Sequence, residues 1–266
     1  MSLLRQLVTY PIKSCAGINL ETSEVFGRGL ALDRRWLLIE DNGDFVSQRT
    51  SPLLGQIKLS VQNEQLKVSY PDKDSLFLDL NVTGSTHRHA KIWKDQVKGL
   101  WLNQDYDDWF SAILGRQVHL LHMNQTVQRP LIKESLPANQ NFEVSFADGY
   151  PYLLTSDASL ADLNQRLALP IPMDRFRANL VVNGFEAYAE DYWKQIRIGD
   201  VEFLVVKPCA RCQVTTIDQS TGKYSKEPLK TLASYRKQDG KVMFGMNLVA
   251  LNGGRVSIGD PVHILK

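Results

Sequence analysis

The sequence predicts a mainly β protein with a few short α-helices, divided into two β-rich parts that meet near residue 130. Three observations carry this. Short runs rich in Val, Ile, Leu and aromatic residues recur along the chain, separated by Gly, Asn, Asp and Pro. Few segments repeat apolar residues at helical spacing, and those are short. Residues 124–145 are polar, contain Pro130 and Pro137, and show no period.

In the first part, residues 6–12, 24–26, 35–39 and 58–70 read as strands. Gly27-Arg28-Gly29, Asp41-Asn42-Gly43-Asp44 and Pro71-Asp72-Lys73-Asp74 are turn sequences between them, and the second is a hairpin signal before Phe45-Val46. Residues 105–114 place acids first and stop at Gly115, the pattern of a short capped helix. Residues 117–122 follow as a strand. The expected organisation is a first domain over 1–123, a linker or long loop over 124–145, and a second domain over 146–266. In the second domain, residues 156–167 read as a helix capped by Ser156, with Leu160, Leu163 and Leu167 along one stripe. Strands are expected at 181–182, 195–198, 201–207, 213–217, 241–244, 248–250 and 262–265.

Composition excludes several classes. The 266 residues hold 31 Lys and Arg against 29 Asp and Glu, a net charge of +2. That balance creates no global field for nucleic acid or an anionic membrane. No apolar run approaches the roughly 20 residues that span a bilayer. Met1 to Arg5 lead into alternating Leu7, Val8 and Tyr10 rather than a signal peptide. Three cysteines cannot build a disulfide framework. A soluble cytoplasmic protein with no nucleic-acid or membrane partner is the expectation.

The sharpest local feature is Lys207-Pro208-Cys209-Ala210-Arg211-Cys212, where a strand enters a turn carrying two cysteines three apart. Four readings are open: half of a structural zinc site, a dithiol redox pair, a single thiolate that ligates a soft metal or acts as nucleophile, and two inert buried thiols. Zinc needs four ligands, and only Cys15 and scattered histidines remain. A redox dithiol normally opens a helix, whereas a strand is expected here. Lys207 and Arg211 would favour an ionised thiol. At Tyr10-Pro11-Ile12-Lys13-Ser14-Cys15, Lys and Ser beside exposed backbone N–H groups suit a phosphate, without the glycines of a Walker loop. Arg34 and Arg35 begin a strand, and Arg49 ends the hairpin that follows. Asp174-Arg175-Phe176-Arg177-Ala178-Asn179 precedes another strand, and alternation would send Arg175, Arg177 and Asn179 to one face. A polyanion would pair such arginines, and so would neighbouring surface acids.

Together these motifs resemble one family. Tyr10-Pro11-Ile12-Lys13-Ser14-Cys15, Asp33-Arg34-Arg35-Trp36, Phe176-Arg177-Ala178-Asn179, Cys209-Ala210-Arg211-Cys212, Thr215-Thr216-Ile217-Asp218, Lys226-Glu227-Pro228-Leu229 and Ile258-Gly259-Asp260-Pro261-Val262 occur in order. The chain resembles MOSC-domain proteins with a MOSC N-terminal β-barrel domain, the group of the amidoxime-reducing components and N-hydroxylated-base reductases. The resemblance implies a β-barrel MOSC domain behind an N-terminal β-barrel-like domain, with a molybdenum cofactor (molybdenum on a pyranopterin phosphate) between them. It assigns Cys212 as metal ligand and catalytic residue, and Asn247 to the substrate side. Lys13, Ser14 and Arg34 match positions that hold the pterin phosphate. Arg177 and Asn179 match pterin contacts, and Arg211 lies beside the ligand. Tyr150 is a further cofactor contact through its backbone, because the mitochondrial relatives carry Thr and Ser where this chain has Gly149 and Tyr150.

The implied activity is reduction of N-hydroxylated compounds, namely hydroxylamines, amidoximes and N-hydroxylated bases. Some bacterial relatives continue into a [2Fe–2S] domain. Such a cluster needs about four thiolates, more than this sequence contains, so an external ferredoxin- or flavin-linked donor is expected. A sulfur-delivery or cofactor-carrier protein using Cys212, and a phosphate-binding module using only the arginines, are the alternatives.

Overall fold

A computed structural model describes residues 1–266. The chain is mainly β, with nineteen strands and three α-helices. Its largest sheet has nine strands and curls into a half-barrel. Across it lie Val262–Ile264, Gln195–Ile198, Val201–Ala210, Lys241–Ala250, Tyr152–Ser156, Leu180–Val182, Leu4–Thr9 and Ile18–Asn19, with Lys237–Gln238 beside Lys241–Ala250. All neighbours are antiparallel except Tyr152–Ser156 and Leu180–Val182. A parallel pair needs a crossover connection, and helix Asp157–Arg166 supplies it. Ser156 caps that helix by accepting the Ser159 N–H at 3.1 Å.

The first half holds a four-stranded sheet, ordered Trp36–Ile39, His119–His122, Asp95–Trp101 and His87–Ile92, and a three-stranded sheet of Lys58–Gln62, Gln65–Ser69 and Leu76–Asp79. Helix Gln104–Leu114 packs beside them, capped by Asn103 and closed by Gly115 at φ 66°. The halves are interleaved. Strand Leu4–Thr9 pairs with Leu180–Val182, and Thr22–Phe26 pairs with Gly254–Ser257. Leu4, Leu7, Val25 and Leu30 are buried in one core with Phe203, Met246 and Leu248. Residues 124–145 have no helix or strand, yet Val127, Leu131, Phe142 and Val144 are buried. Arg129 fastens this stretch through Asp95 and the carbonyls of Ser145 and Ala147. No helix is long and apolar enough to cross a membrane.

Three local expectations are corrected. Residues 58–70 are a hairpin rather than one strand, because Asn63 and Glu64 both take positive φ, the requirement of a tight hairpin turn usually met by Asn-Gly. Residues 213–217 are not a strand: Gln213–Thr216 is a 3₁₀ turn in which the Thr215 and Thr216 hydroxyls bond back to the Cys212 and Gln213 carbonyls. The two strands expected at 241–244 and 248–250 are one, Lys241–Ala250, bent at Gly245 with φ 76°.

Candidate functional site

The two halves meet around a cavity of about 1180 Å³. All nine residues that the resemblance assigned to cofactor or substrate line it: Lys13, Ser14, Arg34, Tyr150, Arg177, Asn179, Arg211, Cys212 and Asn247. Seven Lys and Arg face it against two carboxylates, Asp148 and Asp239. Of the ten non-glycine residues with left-handed φ in the chain, five line this cavity: Ser14, Arg34, Trp93, Arg177 and Asp239. Such conformations cost about 1–3 kcal/mol each at their most strained and cluster where function requires them.

Behind the Arg34 and Arg177 side chains lies Tyr10. Gly17 lets its ring lie over the first turn, since a Cβ there would sit 2.7 Å from Tyr10 Cε1. The guanidiniums of Arg34 and Arg177 approach that ring to 4.4 and 4.3 Å. Burial pushes the Tyr10 phenol up to about 12, so it stays neutral. Of the two like charges, Arg34 is held by Asp33, which is fully buried. It accepts from Arg34 Nη1 at 2.6 Å, the Tyr10 N–H at 2.8 Å and Asn179 Nδ2 at 3.0 Å. Asn179 spends its amide inside the protein, donating also to the Val8 carbonyl and accepting from Arg34 and the Leu153 N–H. It therefore acts on the cavity by fixing Arg34. Arg177 Nη2 is buried with no partner, so that edge of the guanidinium still has a hydrogen bond to give. Arg175 departs from the predicted alternation: it lies in the 3₁₀ turn Met173–Phe176, away from the cavity, and binds Asp218 at 3.0 Å.

Lys13 is buried and donates to the Phe146 carbonyl at 2.8 Å and to Asp148 at 2.5 Å. Burial lowers its pKa. Desolvation raises the Asp148 carboxyl, but the Lys13 charge and hydrogen bond, the Trp93 indole and Arg49 more than reverse this and hold it well below the ordinary range.

On the opposite wall, each cysteine of the turn has its own guanidinium. Arg211 donates to Cys209 Sγ at 2.9 Å and to the Phe176 carbonyl at 2.6 Å, leaving its Nε without a partner. Arg49 donates to Cys212 Sγ at 3.1 Å and lies 4.4 Å from the Trp93 ring. Asn247 donates to the Lys207 and Pro208 carbonyls, so its Oδ1 is left for a ligand. Lys207 Nζ sits 5.2 Å from the Tyr150 ring. Cys15 is different: it is fully buried, and burial pushes its thiol up to about 12. It is a core residue.

Sequence reasoning placed Arg49 only at a hairpin end and had no signal for Trp93 or Asp148 as members of the cavity wall, while Lys207 was marked only as a charge beside the cysteine turn. Arg49 and Cys212 meet across the junction of the halves, which no local pattern encodes.

The sequence matches the MOSC N-terminal beta barrel domain over residues 1–117 and the MOSC domain over residues 141–263. It is 35% identical to mitochondrial amidoxime-reducing component 1 of Homo sapiens over 98% of this chain and 82% of that protein. The chain belongs to the MOSC-domain family. Mitochondrial amidoxime reducing component 2 of Rattus norvegicus is 34% identical over 96% of this chain and 80% of its own length. A molybdenum cofactor sulfurase of Oryza sativa subsp. japonica is 33% identical over 92% of this chain, which spans 32% of that longer protein. The cavity of this MOSC-domain chain is thus formed where its two family domains face each other.

Proposed function

We propose that the chain is a molybdenum-cofactor-dependent reductase of N-hydroxylated compounds. The observation that carries this is the pairing, in one cavity, of an unpartnered buried Arg177 guanidinium edge with the Cys212 thiol. The residues fit such a group. A phosphate-bearing pterin supplies the anion that the cationic wall lacks, and a thiolate is a soft ligand suited to molybdenum. No cluster of three or more His, Cys, Asp or Glu forms in the chain, so a metal held here would take its remaining ligands from the cofactor.

Cys212 would be the protein ligand. Arg177, Arg34 and Lys13, with Ser14 beside them, would hold the phosphate end, and Asp33 and Asn179 would keep Arg34 aimed. When bound, the cofactor supplies the two-electron chemistry of R–NHOH + 2 e⁻ + 2 H⁺ → R–NH₂ + H₂O, and an external donor replaces the electrons. Arg49 holds the ligand sulfur in place and withdraws charge from it. Asn247 Oδ1 and Tyr150 line the space left for a small substrate, and Lys207 adds a positive charge near its oxygen.

The test is molybdenum per chain in protein from a cofactor-competent host, with reduction of benzamidoxime or an N-hydroxylated base followed in parallel. About one molybdenum per wild-type chain and little in Cys212→Ala supports the reading. A Cys212→Ala protein that reduces these substrates at the wild-type rate overturns it.

The likeness to a molybdenum cofactor sulfurase supports a second reading, in which the same cavity hands on sulfur or cofactor from Cys212. A persulfide on Cys212 in metal-free protein would favour it. The reductase reading also keeps the cytoplasmic location expected from the sequence, while the amidoxime-reducing relatives are mitochondrial by name; cell fractionation decides between the two.

A further inference from the structure

Trp93 is a large aromatic residue in a place that suits a small one. Asp95 pairs with Ile92 across the hairpin of His87–Ile92 and Asp95–Trp101, so Trp93 and Lys94 form its two-residue loop. Such loops favour Gly, Asn or Asp where φ is positive, yet Trp93 takes φ 58°. A bulky side chain in that region is an outlier, and local propensity gives no reason for it. Trp93 lines the cavity and is 46% exposed, which sets it at the mouth, whereas Tyr10 lies buried behind Arg34 and Arg177. An indole left half in water adds little to folding, so packing does not account for it either.

The ring is nonetheless held on three sides. The Arg49 guanidinium covers one face at 4.4 Å, the Phe45 ring meets it edge-on at 5.2 Å and 69°, and its N–H faces the Asp148 carboxylate. No further ring or cation meets it, which leaves the second face open. The same Arg49 reaches the Cys212 sulfur at 3.1 Å, so the open face stands one guanidinium away from the proposed metal ligand. The cations read as the phosphate cradle, Arg34 and Arg177, gather on Tyr10 instead.

We propose that Trp93 is a specificity-determining residue whose free face stacks on the flat ring of an aromatic N-hydroxylated compound and aims its N–OH group toward Cys212, so that aromatic substrates are favoured over aliphatic ones. The inference rests on the reductase reading and narrows its substrate class. A ring stacked on an indole gains about tenfold in affinity, and a short alkyl group covers less of the face. The contact is made equally in the bound substrate and in the transition state, so it lowers KM and leaves kcat nearly unchanged.

The experiment compares benzamidoxime with acetamidoxime on molybdenum-loaded protein. The readout is the ratio of their kcat/KM values, which does not depend on how much of the protein is loaded. Wild type should favour benzamidoxime about tenfold or more. Trp93→Leu should bring the ratio close to one through a higher KM for benzamidoxime, and Trp93→Phe should keep most of it. An unchanged ratio in Trp93→Leu overturns the proposal, and so does a wild type that treats the two alike. Loss of molybdenum in Trp93→Leu with the ratio intact also overturns it, since Trp93 would then serve only Arg49 or the cofactor. Adenine, a flat base that needs no turnover, is titrated into the same loaded proteins by calorimetry, and Trp93→Leu should bind it about tenfold more weakly. If neither amidoxime is reduced, the reductase reading fails by itself, and equal adenine affinity in the two proteins is then what overturns the role of Trp93.

Discussion

Arg49 donates its Nη2 to the sulfur of Cys212 at 3.1 Å, across a separation of 163 residues. The bond joins the hairpin after Trp36–Ile39 to the end of Val201–Ala210, and the Trp93 ring lies against the same guanidinium. Replacing Arg49 by Met should lower molybdenum content and N-hydroxyl reduction about tenfold or more while shifting Tm by only a few degrees. Arg49→Lys should recover little, because an ammonium cannot lie flat on Trp93 and reach the sulfur in one geometry. Full molybdenum content in Arg49→Met removes Arg49 from the ligand's support.

The three thiols should separate cleanly. Cys15 is fully buried and neutral, while Cys209 and Cys212 are half-buried on the cavity wall. Native apoprotein treated with iodoacetamide should gain two adducts by intact mass, and a third only after denaturation. A third adduct on folded protein contradicts the placement of Cys15.

The Lys13–Asp148 pair predicts a pH-dependent difference. Asp148 has its carboxyl held below the ordinary 3.8, so its contribution is present above about pH 4 and fades as acid protonates it. The side chain is 57% exposed, so solvent screening limits the effect to about 1 kcal/mol. Urea unfolding of Asp148→Asn against wild type should show that gap at pH 7 and a smaller one at pH 3. A gap that widens in acid has the wrong sign for this pair.

Gly245 marks the bend in Lys241–Ala250. With φ at 76°, a Cβ there would lie 2.7 Å from both the Leu154 carbonyl oxygen and Thr155 Cγ2. Backbone cannot yield as a flexible side chain can, so Gly245→Ala should cost about 2–4 kcal/mol in urea unfolding. Wild-type stability would show that the bend relaxes freely.

Much of the fold was legible because its strands carry Val, Ile and Leu in short runs, and its two longer helices are announced by the acids that open and the Gly115 that closes the first and by the Ser156 cap of the second. The misreadings arose where a local exception overrode the common pattern. Asn63-Glu64 turns the chain without a glycine, and Thr215 and Thr216 satisfy carbonyls that a strand would have offered to a neighbour. Lys13, Arg34, Arg177 and Cys212 stood out as charged or nucleophilic residues at turns. Trp93 and Asp148 did not, because their meaning lies in what the opposite half brings beside them. Arg175 shows the reverse error: placed by alternation with Arg177, it turned away because the backbone there is a 3₁₀ turn.

The seating of Leu4–Thr9 against Leu180–Val182 has a consequence for synthesis. As the ribosome releases the chain, this first strand can meet the short Ile18–Asn19 at once, but its other neighbour emerges only about 175 residues later. The leading half can assemble its own sheets early, but the seam that closes both halves must wait. Contacts this distant in sequence slow folding, so the site-bearing junction would be the last part of the molecule to form and the first to suffer from a truncated message.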